Sequence, residues 1–391
     1  MTAQPRSAVL VPRGDLERLV TLALEEARAR GATQAEVGVS VDTGLSVTVR
    51  LGEVETLEYQ RDRGLGITVY VDHRKGSAST ADLGIQAVLE TVYKALSIAS
   101  FTAADECAGL ADAELMAREI PDLSLSHPWE VAPEEAIEIA RACEAAALAT
   151  DPRVRNSEGA SLGTHRGVRV YGNSHGFIGG FESTGHSVSC AVVGVAGEEM
   201  QRDHWYTTAR DWRDLEEAGA VGRRSAERTA ARLGSQKLVT RRAPVLFSAE
   251  NARGLFGHFL AAIRGGSQYR KSSFLLGAAG QQVFPPFLQI LERPHIPKGQ
   301  ASSAFDNEGV ATQDRDLVRD GVLQGYLLSA YSARKLGLKS TGNAGGAHNL
   351  IVPPTSGDQQ ALLRRMGTGL LVTELMGQGV NIVTGDYSRG A

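Results

Sequence analysis

The chain has 391 residues, of which 42% are hydrophobic and 22% charged, a composition typical of a globular protein with two or three domains. Its 41 Lys and Arg against 45 Asp and Glu give a net charge of -4, which leaves no basic field to hold a nucleic-acid backbone. The three cysteines form no C-x-x-C pair, no apolar run reaches membrane-spanning length, and the first 13 residues lack the apolar core of a secretion signal. The sequence therefore predicts a cytoplasmic protein without disulfides.

A helix, several strands and a second helix are predicted for the N-terminal region. Residues 15–30 carry apolar side chains on one broad stripe and end before Gly31, which is typical of an amphipathic helix with a C-terminal glycine. Segments rich in Val, Thr and Leu then predict consecutive antiparallel strands at 35–41, 45–51, 53–60 and 64–71. A second helix over 82–100 closes this α+β domain, which we place at residues 1–120.

The same rhythm returns in residues 121–238, which we predict to be a second α+β domain. Pro133 begins an Ala- and Glu-rich helix, at a position where its missing N–H costs nothing. Strands are predicted at 154–164, 167–171, 177–195 and 202–211, followed by a helix over 214–233. The order indicates two α-β-β-β-α units in tandem, without a residue-level repeat to support a duplication.

The third domain, residues 239–391, is predicted to be β-rich and barrel-like. A strand over 243–247 precedes Ser248, which we expect to cap a helix that ends at Ile263. Further elements are predicted as strands at 283–291, 309–315, 317–326, 370–375 and 380–384, with a short helix at 358–366. The predicted fold class is thus α+β, with α-β-β-β-α type units followed by this domain.

Residues 172–176, Gly-Asn-Ser-His-Gly, match the G-x-S-x-G turn that presents a serine nucleophile in some hydrolases. That turn lies between a strand and a helix, whereas the sequence after Gly176 predicts another strand. A hairpin turn is therefore the favoured interpretation of Ser174 and His175.

The histidines form no recognisable zinc site. A zinc-hydrolase helix carries two histidines one turn apart with a glutamate beside the first, and the sequence contains no His-Glu pair. His258, on the helix after Ser248, is predicted to be a core or surface residue. A composite site is disfavoured for four histidines on or beside strand segments, which lack ligand-like spacing: His165, His175, His186 and His204.

Four acidic residues surround Gly309: Asp306, Glu308, Asp314 and Asp316. Their spacing does not match a calcium loop, because no glycine follows at the required position and no terminal glutamate arrives. We prefer a solvated hairpin in which Arg315 and Arg319 lie near the acidic side chains.

Two glycine-dense segments of the C-terminal domain supply the candidate binding residues. Glycine allows positive φ and close approach, so backbone N–H and C=O groups there can pair with an extended peptide or an anion, and Arg389 can clamp a carboxylate. Tight turns between strands use the same residue types, so both interpretations stay open. The candidate substrate-binding residues are Ser340, Thr341, Gly342, Asn343, Gly345, Gly346, Thr384, Gly385, Asp386, Tyr387, Ser388 and Arg389.

These segments and several other ordered strings resemble the PmbA/TldE family, proteins labelled as modulators of DNA gyrase. The diagnostic strings are SFL at 273–275, ERPH at 292–295, FDNEGVAT at 305–312, YSARKLG at 331–337, STGNAGG at 340–346 and TGDYSRGA at 384–391. The resemblance is strongest from Pro244 to Ala391, and the first half agrees in layout, including RGLG at 63–66.

The resemblance implies a cytoplasmic zinc peptidase complex that acts on unfolded or extended peptides, formed with a TldD-like sibling subunit. It places the zinc on a His-Glu helix of the sibling, whereas the matching helix here, near residues 254–263, lacks that pair. We therefore expect no metal, no other cofactor and no catalytic residue in this chain, which would instead help to form the substrate chamber and pair with the peptide as an added strand.

Two alternatives stay open: a self-dimer that binds peptides without hydrolysis, and a gyrase-modulating protein. Nothing in the charge pattern supports direct contact with DNA. The family also continues past Ser-Arg-Gly-Ala with another β-rich stretch, so we expect the C-terminal domain to be incomplete at Ala391.

Overall fold

The computed structural model describes residues 11–355 and 357–391. Their contacts divide the chain into two compact units. The first unit contains residues 11–103, 122–237 and 297–300, and the second contains residues 104–121, 238–296 and 301–391. The stretch before Arg13, whose lack of an apolar core argued against a secretion signal, lies mostly outside the described residues.

The first unit consists of two α-β-β-β-α segments that share one sheet. Its helices and strands are α1 (Arg13–Ala29), β1 (Gln34–Arg50), β2 (Glu53–Val71), β3 (Arg74–Thr80), α2 (Ile85–Phe101), α3 (Pro133–Thr150), β4 (Val154–Asn173), β5 (Ile178–Ala196), β6 (Glu199–Ala209) and α4 (Ala218–Ala231). The strands form a six-stranded antiparallel sheet in the order β3-β2-β1-β4-β5-β6, so the two segments meet where β1 pairs with β4. The predicted α+β class and tandem units are confirmed.

Three strands are longer than the sequence predicted. The segments 35–41 and 45–51 form the single strand β1, 53–60 and 64–71 form β2, and 154–164 and 167–171 form β4. Asp42 and Gly44, which looked like a break, pair with β2 on one side and with β4 on the other. Because both neighbouring strands supply ladder hydrogen bonds, local turn propensity is overridden there.

The strand β3 is missing from the sequence prediction, because the segment R-K-G-S-A-S-T shows no apolar alternation. It forms the edge of the sheet under α2. A Cβ at Gly76 would lie 2.0 Å from the backbone oxygen of Ala95, so only glycine allows the helix to approach this closely.

Each helix pair covers its own half of the sheet with a separate apolar core. The core under α1 and α2 contains the buried residues Leu16, Val20, Val37, Val39, Val41, Leu65, Ile67, Val69, Val88, Val92, Val168 and Val170 among others. The core under α3 and α4 contains Leu45, Val47, Val49, Cys143, Ala147, Leu162, Val188, Cys190, Val192 and Val221 among others. All three cysteines are free in the structure.

A buried carboxylate, Asp211, attaches residues 297–300 to the first unit. It accepts hydrogen bonds from Arg213 Nη2 at 2.8 Å and from Lys298 Nζ at 2.7 Å. The Arg213 guanidinium, joined by the Lys298 ammonium, holds the pKa of Asp211 well below its ordinary range. Arg210 donates in addition to the backbone oxygens of Gly299 and Gln300.

The second unit contains shorter elements around its own core. They are β7 (Val245–Phe247), α5 (Ala249–Ile263), α6 (Gly265–Tyr269), β8 (Ile290–Glu292), β9 (Arg315–Arg319), β10 (Val322–Leu323), α7 (Ala330–Leu336), β11 (Leu350–Ile351), α8 (Gln359–Met366), β12 (Leu370–Val372), β13 (Val380–Asn381) and β14 (Asp386–Tyr387). A four-stranded sheet has the order β10-β9-β8-β11, β12 pairs in parallel with β7, and β13 pairs with β14. Its core includes Phe259, Ile263, Leu275, Ile290, Leu317, Val318, Leu323 and Leu327.

Several predicted strands of this unit are wrong over most of their length. Only the end of the predicted strand 283–291 is observed as a strand, where it enters β8 (Ile290–Glu292). Pro285 and Pro286 lack the N–H groups that a strand ladder needs. The segment 309–315 is mostly irregular, beginning at a turn where Gly309 has a φ of 80°. The segment 317–326 is divided by a turn at Asp320 and Gly321, both of which have positive φ.

The helix α7 is another element that the sequence analysis missed, although its ends carry clear signals. Ser329 accepts a hydrogen bond from the backbone N–H of Ser332, whose side chain in turn accepts one from the Ser329 N–H, forming a capping box. Gly337 ends the helix in the left-handed conformation, with a φ of 68°. Ser248 occupies the N-cap position of α5, as predicted. Its side chain, however, makes no hydrogen bond to the backbone N–H groups of the helix.

None of the helices in residues 11–355 and 357–391 is both long enough and apolar enough to cross a membrane.

Candidate functional site

The G-x-S-x-G sequence forms the hairpin turn between β4 and β5, as predicted. The Ser174 hydroxyl accepts a hydrogen bond from the backbone N–H of Ala35 at 3.0 Å, and Gly176 has a φ of 86°. Asn173 accepts one from the His175 N–H at 3.1 Å. The serine therefore stabilises the end of the sheet, and no strand-to-helix turn presents it as a nucleophile.

Of the histidines on the sheet, His186 is buried and has hydrogen-bond partners at both ring nitrogens. Nδ1 lies 2.8 Å from Thr164 Oγ1, and Nε2 lies 2.9 Å from the backbone oxygen of His127. Burial lowers the pKa of the imidazole, so the neutral form is favoured. His186 is therefore a core residue whose two ring nitrogens are already hydrogen-bonded, and it is not free to bind a metal.

The first candidate segment, residues 340–346, is attached to a buried ion pair between Glu292 and Arg315. Glu292 accepts from Arg315 Nε at 2.7 Å, from Asn343 Nδ2 at 2.9 Å and from the His348 backbone N–H at 2.7 Å. Asn343 Oδ1 accepts from Arg315 Nη2 at 2.7 Å and from the Thr341 hydroxyl at 2.8 Å. The Asn343 side chain is therefore engaged inside the unit and is itself buried.

Backbone contacts also fix this segment. The carboxylate of Asp306 accepts hydrogen bonds from the N–H groups of Ala344, Glu308 and Val310 at 2.8, 2.9 and 3.0 Å. A Cβ at Gly342, which has a φ of 68°, would lie 2.7 Å from the backbone oxygen of Ala311. The prediction of a solvated acidic hairpin is thus wrong for Asp306, which is buried and whose pKa is raised by desolvation.

The remaining residues of the segment are also held by contacts within the second unit. The Ser340 hydroxyl donates to the backbone oxygen of Leu328 at 3.2 Å. Gly345 has a φ of 104° and lies against the Asn307 side chain, and Gly346 has a φ of 132° and accepts through its backbone oxygen from Asn343. Positive φ and close approach thus explain the glycines of this segment.

The second candidate segment, residues 384–389, lies on the β13–β14 hairpin and just after it. Thr384 donates through Oγ1 to Asp386 Oδ2 at 2.7 Å. The N–H of Ser388 donates to the backbone oxygen of Gly379 at 2.6 Å, and the Arg389 Nε donates to that of Met376 at 3.1 Å. Arg389 is half-buried, and its guanidinium contacts the chain's own backbone.

An apolar cavity of about 180 Å³ opens beside this hairpin. It is lined by Leu255, His258, Phe259, Phe274, Leu275, Val283, Phe284, Val380, Asn381, Ile382, Gly385 and Tyr387. The ring of Tyr387 meets that of His258 edge to face, with centroids 5.9 Å apart. A cavity of this size accommodates one aromatic or large aliphatic side chain.

The structure thus brings two of the candidate residues, Gly385 and Tyr387, to a cavity, and places 340–346 in a hydrogen-bonded network. Among the described residues, none of 340–346 lines that cavity. The sequence analysis did not identify Phe274 and Phe284 as walls of a cavity. It placed Phe284 in a strand over 283–291, whereas both residues lie in irregular structure. The only sequence signal was the string at 273–275.

The first unit has two further grooves that the sequence analysis did not identify. One, of about 560 Å³, lies between Trp129 and the strand residues Leu45, Thr164 and His186. The other, of about 740 Å³, has a floor of small residues that includes Gly38, Ser40, Gly64 and Gly167. Neither groove holds a group of side chains with metal-ligand chemistry, and no such group exists elsewhere in the described residues.

Profiles of one protein family match the chain along nearly its whole length. The PmbA/TldA metallopeptidase domain 1 matches residues 35–99, the central domain matches 126–233, and the C-terminal domain matches 240–391. The chain belongs to this PmbA/TldD metallopeptidase family, and the resemblance inferred from the sequence is confirmed.

Within the family, the chain is similar to proteins of PmbA type. It is 53% identical over 385 residues to Metalloprotease PmbA of Escherichia coli O157:H7, a match that covers 98% of this chain and 85% of that protein. The crystal structure of a proposed modulator of DNA gyrase from Bacteroides thetaiotaomicron superposes with a TM-score of 0.91 at 28% identity, over 96% of this chain and 86% of that one. The structure of TldE from Thermococcus kodakarensis shares the fold, with a TM-score of 0.80 at 20% identity over 93% of this chain and 83% of that one.

Proposed function

We propose that this chain is a subunit of a cytoplasmic zinc metallopeptidase complex of TldD/TldE type that acts on unfolded or extended peptides. In this proposal a TldD-like sibling holds the zinc, and the present chain helps to form the substrate chamber. Membership of a metallopeptidase family supports the peptidase role. The residues of α5 are the main observation that supports assigning the zinc to the sibling and not to this chain.

The helix α5 does not fit a zinc ion. Zinc-hydrolase helices place two histidines four residues apart so that both face the metal, and put the general base beside the first histidine. Here His258 has Gly254 and Ala262 one turn away on either side, and Phe259 follows it where the glutamate would be. His258 instead meets the Tyr387 ring. A single imidazole is too few ligands, so no catalytic step is assigned to this chain.

The residues of the second unit can contribute to peptide binding without a metal. The cavity beside the β13–β14 hairpin provides an apolar site for one side chain, and the hairpin is short, exposed and rich in backbone polar groups. An extended peptide uses such features together, because its side chains enter pockets while its backbone pairs with a strand. Gly385, with a φ of 81°, keeps the Phe274 ring close against the hairpin.

Reconstitution with a TldD-type protein tests the proposal. We expect the two chains to copurify, and the pair to cleave an unfolded peptide that this chain alone leaves intact. Tyr387→Ala should reduce cleavage by the pair, because it removes one wall of the cavity, whereas Phe287→Ala should not, because that exposed ring does not line it. Equal cleavage by the sibling with and without this chain would favour a non-hydrolytic peptide-binding dimer instead.

A further inference from the structure

The cavity beside the β13–β14 hairpin has a buried floor and an exposed mouth. Among its lining residues, Phe259 and Leu275 are 5% and 8% exposed, whereas Phe274 and Tyr387 are 48% and 40% exposed. Phe259 and Leu275 also belong to the apolar core of the second unit. A ligand that enters from solvent therefore passes the two exposed rings and ends against the core.

The walls of the cavity are fixed by contacts within the chain. Phe259 meets Phe284 edge to face, with ring centroids 5.1 Å apart. The backbone N–H of Phe274 donates to the Ile382 oxygen at 2.8 Å, which attaches this side of the mouth to the hairpin. Because the walls are already in place, a ligand can bind with little further ordering of side chains.

Size and wall chemistry together favour an aromatic ring as the occupant. The volume of about 180 Å³ slightly exceeds the volume of about 150 Å³ of an apolar protein cavity known to bind benzene. Aromatic rings also attract one another edge to face. None of the lining residues that the structure describes is Asp, Glu, Lys or Arg, so a charged side chain would lose its hydration without gaining a counterion. Five lining residues carry rings: His258, Phe259, Phe274, Phe284 and Tyr387.

His258 adds a hydrogen-bonding group to this largely apolar wall. Its imidazole is half-buried and meets the Tyr387 ring, and within residues 11–355 and 357–391 its ring nitrogens have no hydrogen-bond or ion-pair partner. The other polar side chain of the lining, Asn381, already accepts from the Val383 N–H at 2.9 Å. A hydrocarbon ligand would therefore cover the imidazole without replacing its bonds to water, which is unfavourable.

A phenol ring meets both requirements. It is one oxygen larger than benzene, and its hydroxyl can donate and accept, so it can pair with either nitrogen of a neutral imidazole. An indole is larger and only donates, and an aliphatic side chain has no group for the imidazole.

We propose that this cavity binds the side chain of a tyrosine in an extended peptide, with the ring against the aromatic walls and the hydroxyl hydrogen-bonded to His258. His258 is then a residue that determines specificity, although no metal is bound there. The inference rests on the proposed function, because a peptide tyrosine reaches the cavity only if this chain binds peptides.

Side-chain analogues test the site in the purified chain without any peptidase activity. p-Cresol and toluene reproduce the side chains of tyrosine and phenylalanine, and ligand-observed NMR titration gives their Kd values. We expect both to bind the wild-type chain. His258→Phe should weaken p-cresol binding about 10-fold and toluene binding less than about 2-fold, because only the hydroxyl loses its partner. Toluene binding also shows that the variant is folded. Equal weakening of both ligands, or no saturable binding of p-cresol to the wild type, would overturn the proposal.

A substitution that fills the cavity locates the binding. Val380→Trp adds a large ring to the lining from the hairpin side and should abolish binding of p-cresol and toluene alike. Phe287→Trp is the matched control, because it places the same side chain at a position that is 65% exposed and outside the lining. It should leave both Kd values unchanged. Binding of p-cresol that survives Val380→Trp would contradict the assignment to this cavity.

Peptides of Gly and Ser with one central Tyr, Phe or Lys extend the test to a chain. We expect the Lys peptide to bind most weakly, and the Kd of the Tyr peptide relative to that of the Phe peptide to rise about 10-fold in His258→Phe. Binding and cleavage separate the two proposals. A chain that shows this response but supports no cleavage with a TldD-type protein retains the tyrosine site and contradicts the peptidase role. A pair that cleaves peptides although the ratio is unchanged in His258→Phe would contradict the tyrosine site alone.

Discussion

Glu292→Gln is the substitution that tests most directly how the segment 340–346 is held. The Glu292 side chain is 2% exposed and accepts hydrogen bonds from Arg315, Asn343 and the His348 N–H. Glutamine keeps the shape but removes the charge, and it turns an amide N–H₂ toward at least one of these donors. Hydrogen bonds to a charged group contribute about 1.5–3 kcal/mol each, and removing one partner of a buried ion pair costs about 3–5 kcal/mol.

We therefore expect Glu292→Gln to lower the free energy of unfolding by about 3 kcal/mol, measured by urea denaturation with an unchanged m-value. The matched control is Arg319→Gln, which breaks an ion pair with Asp316 near the surface, at the end of β9, the strand that also carries Arg315. It should cost less than about 1 kcal/mol. Faster amide exchange at Ala344 and His348 should accompany the loss. A cost for Glu292→Gln as small as that of the control would refute the reasoning.

Three further predictions concern other parts of the fold. The Arg213 guanidinium holds the pKa of Asp211 below its ordinary value, so the carboxylate stabilises the fold fully above about pH 4 and loses this contribution as the pH falls through its lowered pKa. The difference in Tm between wild type and Asp211→Asn should accordingly be largest near neutral pH and shrink below about pH 4; a constant difference would contradict it. Gly342→Ala should destabilise by about 2 kcal/mol more than Gly337→Ala in urea denaturation, since both residues have a φ of 68° but only the first meets backbone within 3 Å. Leu51→Asn should raise the free energy of unfolding by about 0.5 kcal/mol, because Leu51 occupies a φ of 50° in a hairpin turn that favours Asn; a lower stability would count against this turn assignment.

The sequence predicted the first unit well where amphipathic periodicity was strong. The helices α1 and α3 and the order of the two α-β-β-β-α segments follow from apolar stripes and from the proline at the start of α3. Strand lengths could not be predicted in the same way. The break expected at Asp42 to Gly44 disappears because β2 and β4 pair with it from both sides, a tertiary effect that local composition does not contain.

The second unit was less predictable, since much of it is irregular structure fixed by side chains. Asp306 looked solvated among other acidic residues, yet it accepts three backbone hydrogen bonds and is buried. Likewise the glycines at 342 and 345 signalled positive φ, but only the fold shows that they approach Ala311 and Asn307. The cavity walls at Phe274 and Phe284 come from segments distant in sequence, and no periodicity connects them.

Under the proposed function, this chain works as a subunit and is not a zinc peptidase by itself. The most direct measurement is the zinc content and peptide cleavage of the purified chain, with and without a chelator, beside the same assay with a TldD-type partner. We predict substoichiometric zinc and no chelator-sensitive cleavage for the single chain, and chelator-sensitive cleavage for the pair. Stoichiometric zinc together with chelator-sensitive cleavage by the single chain would contradict the account.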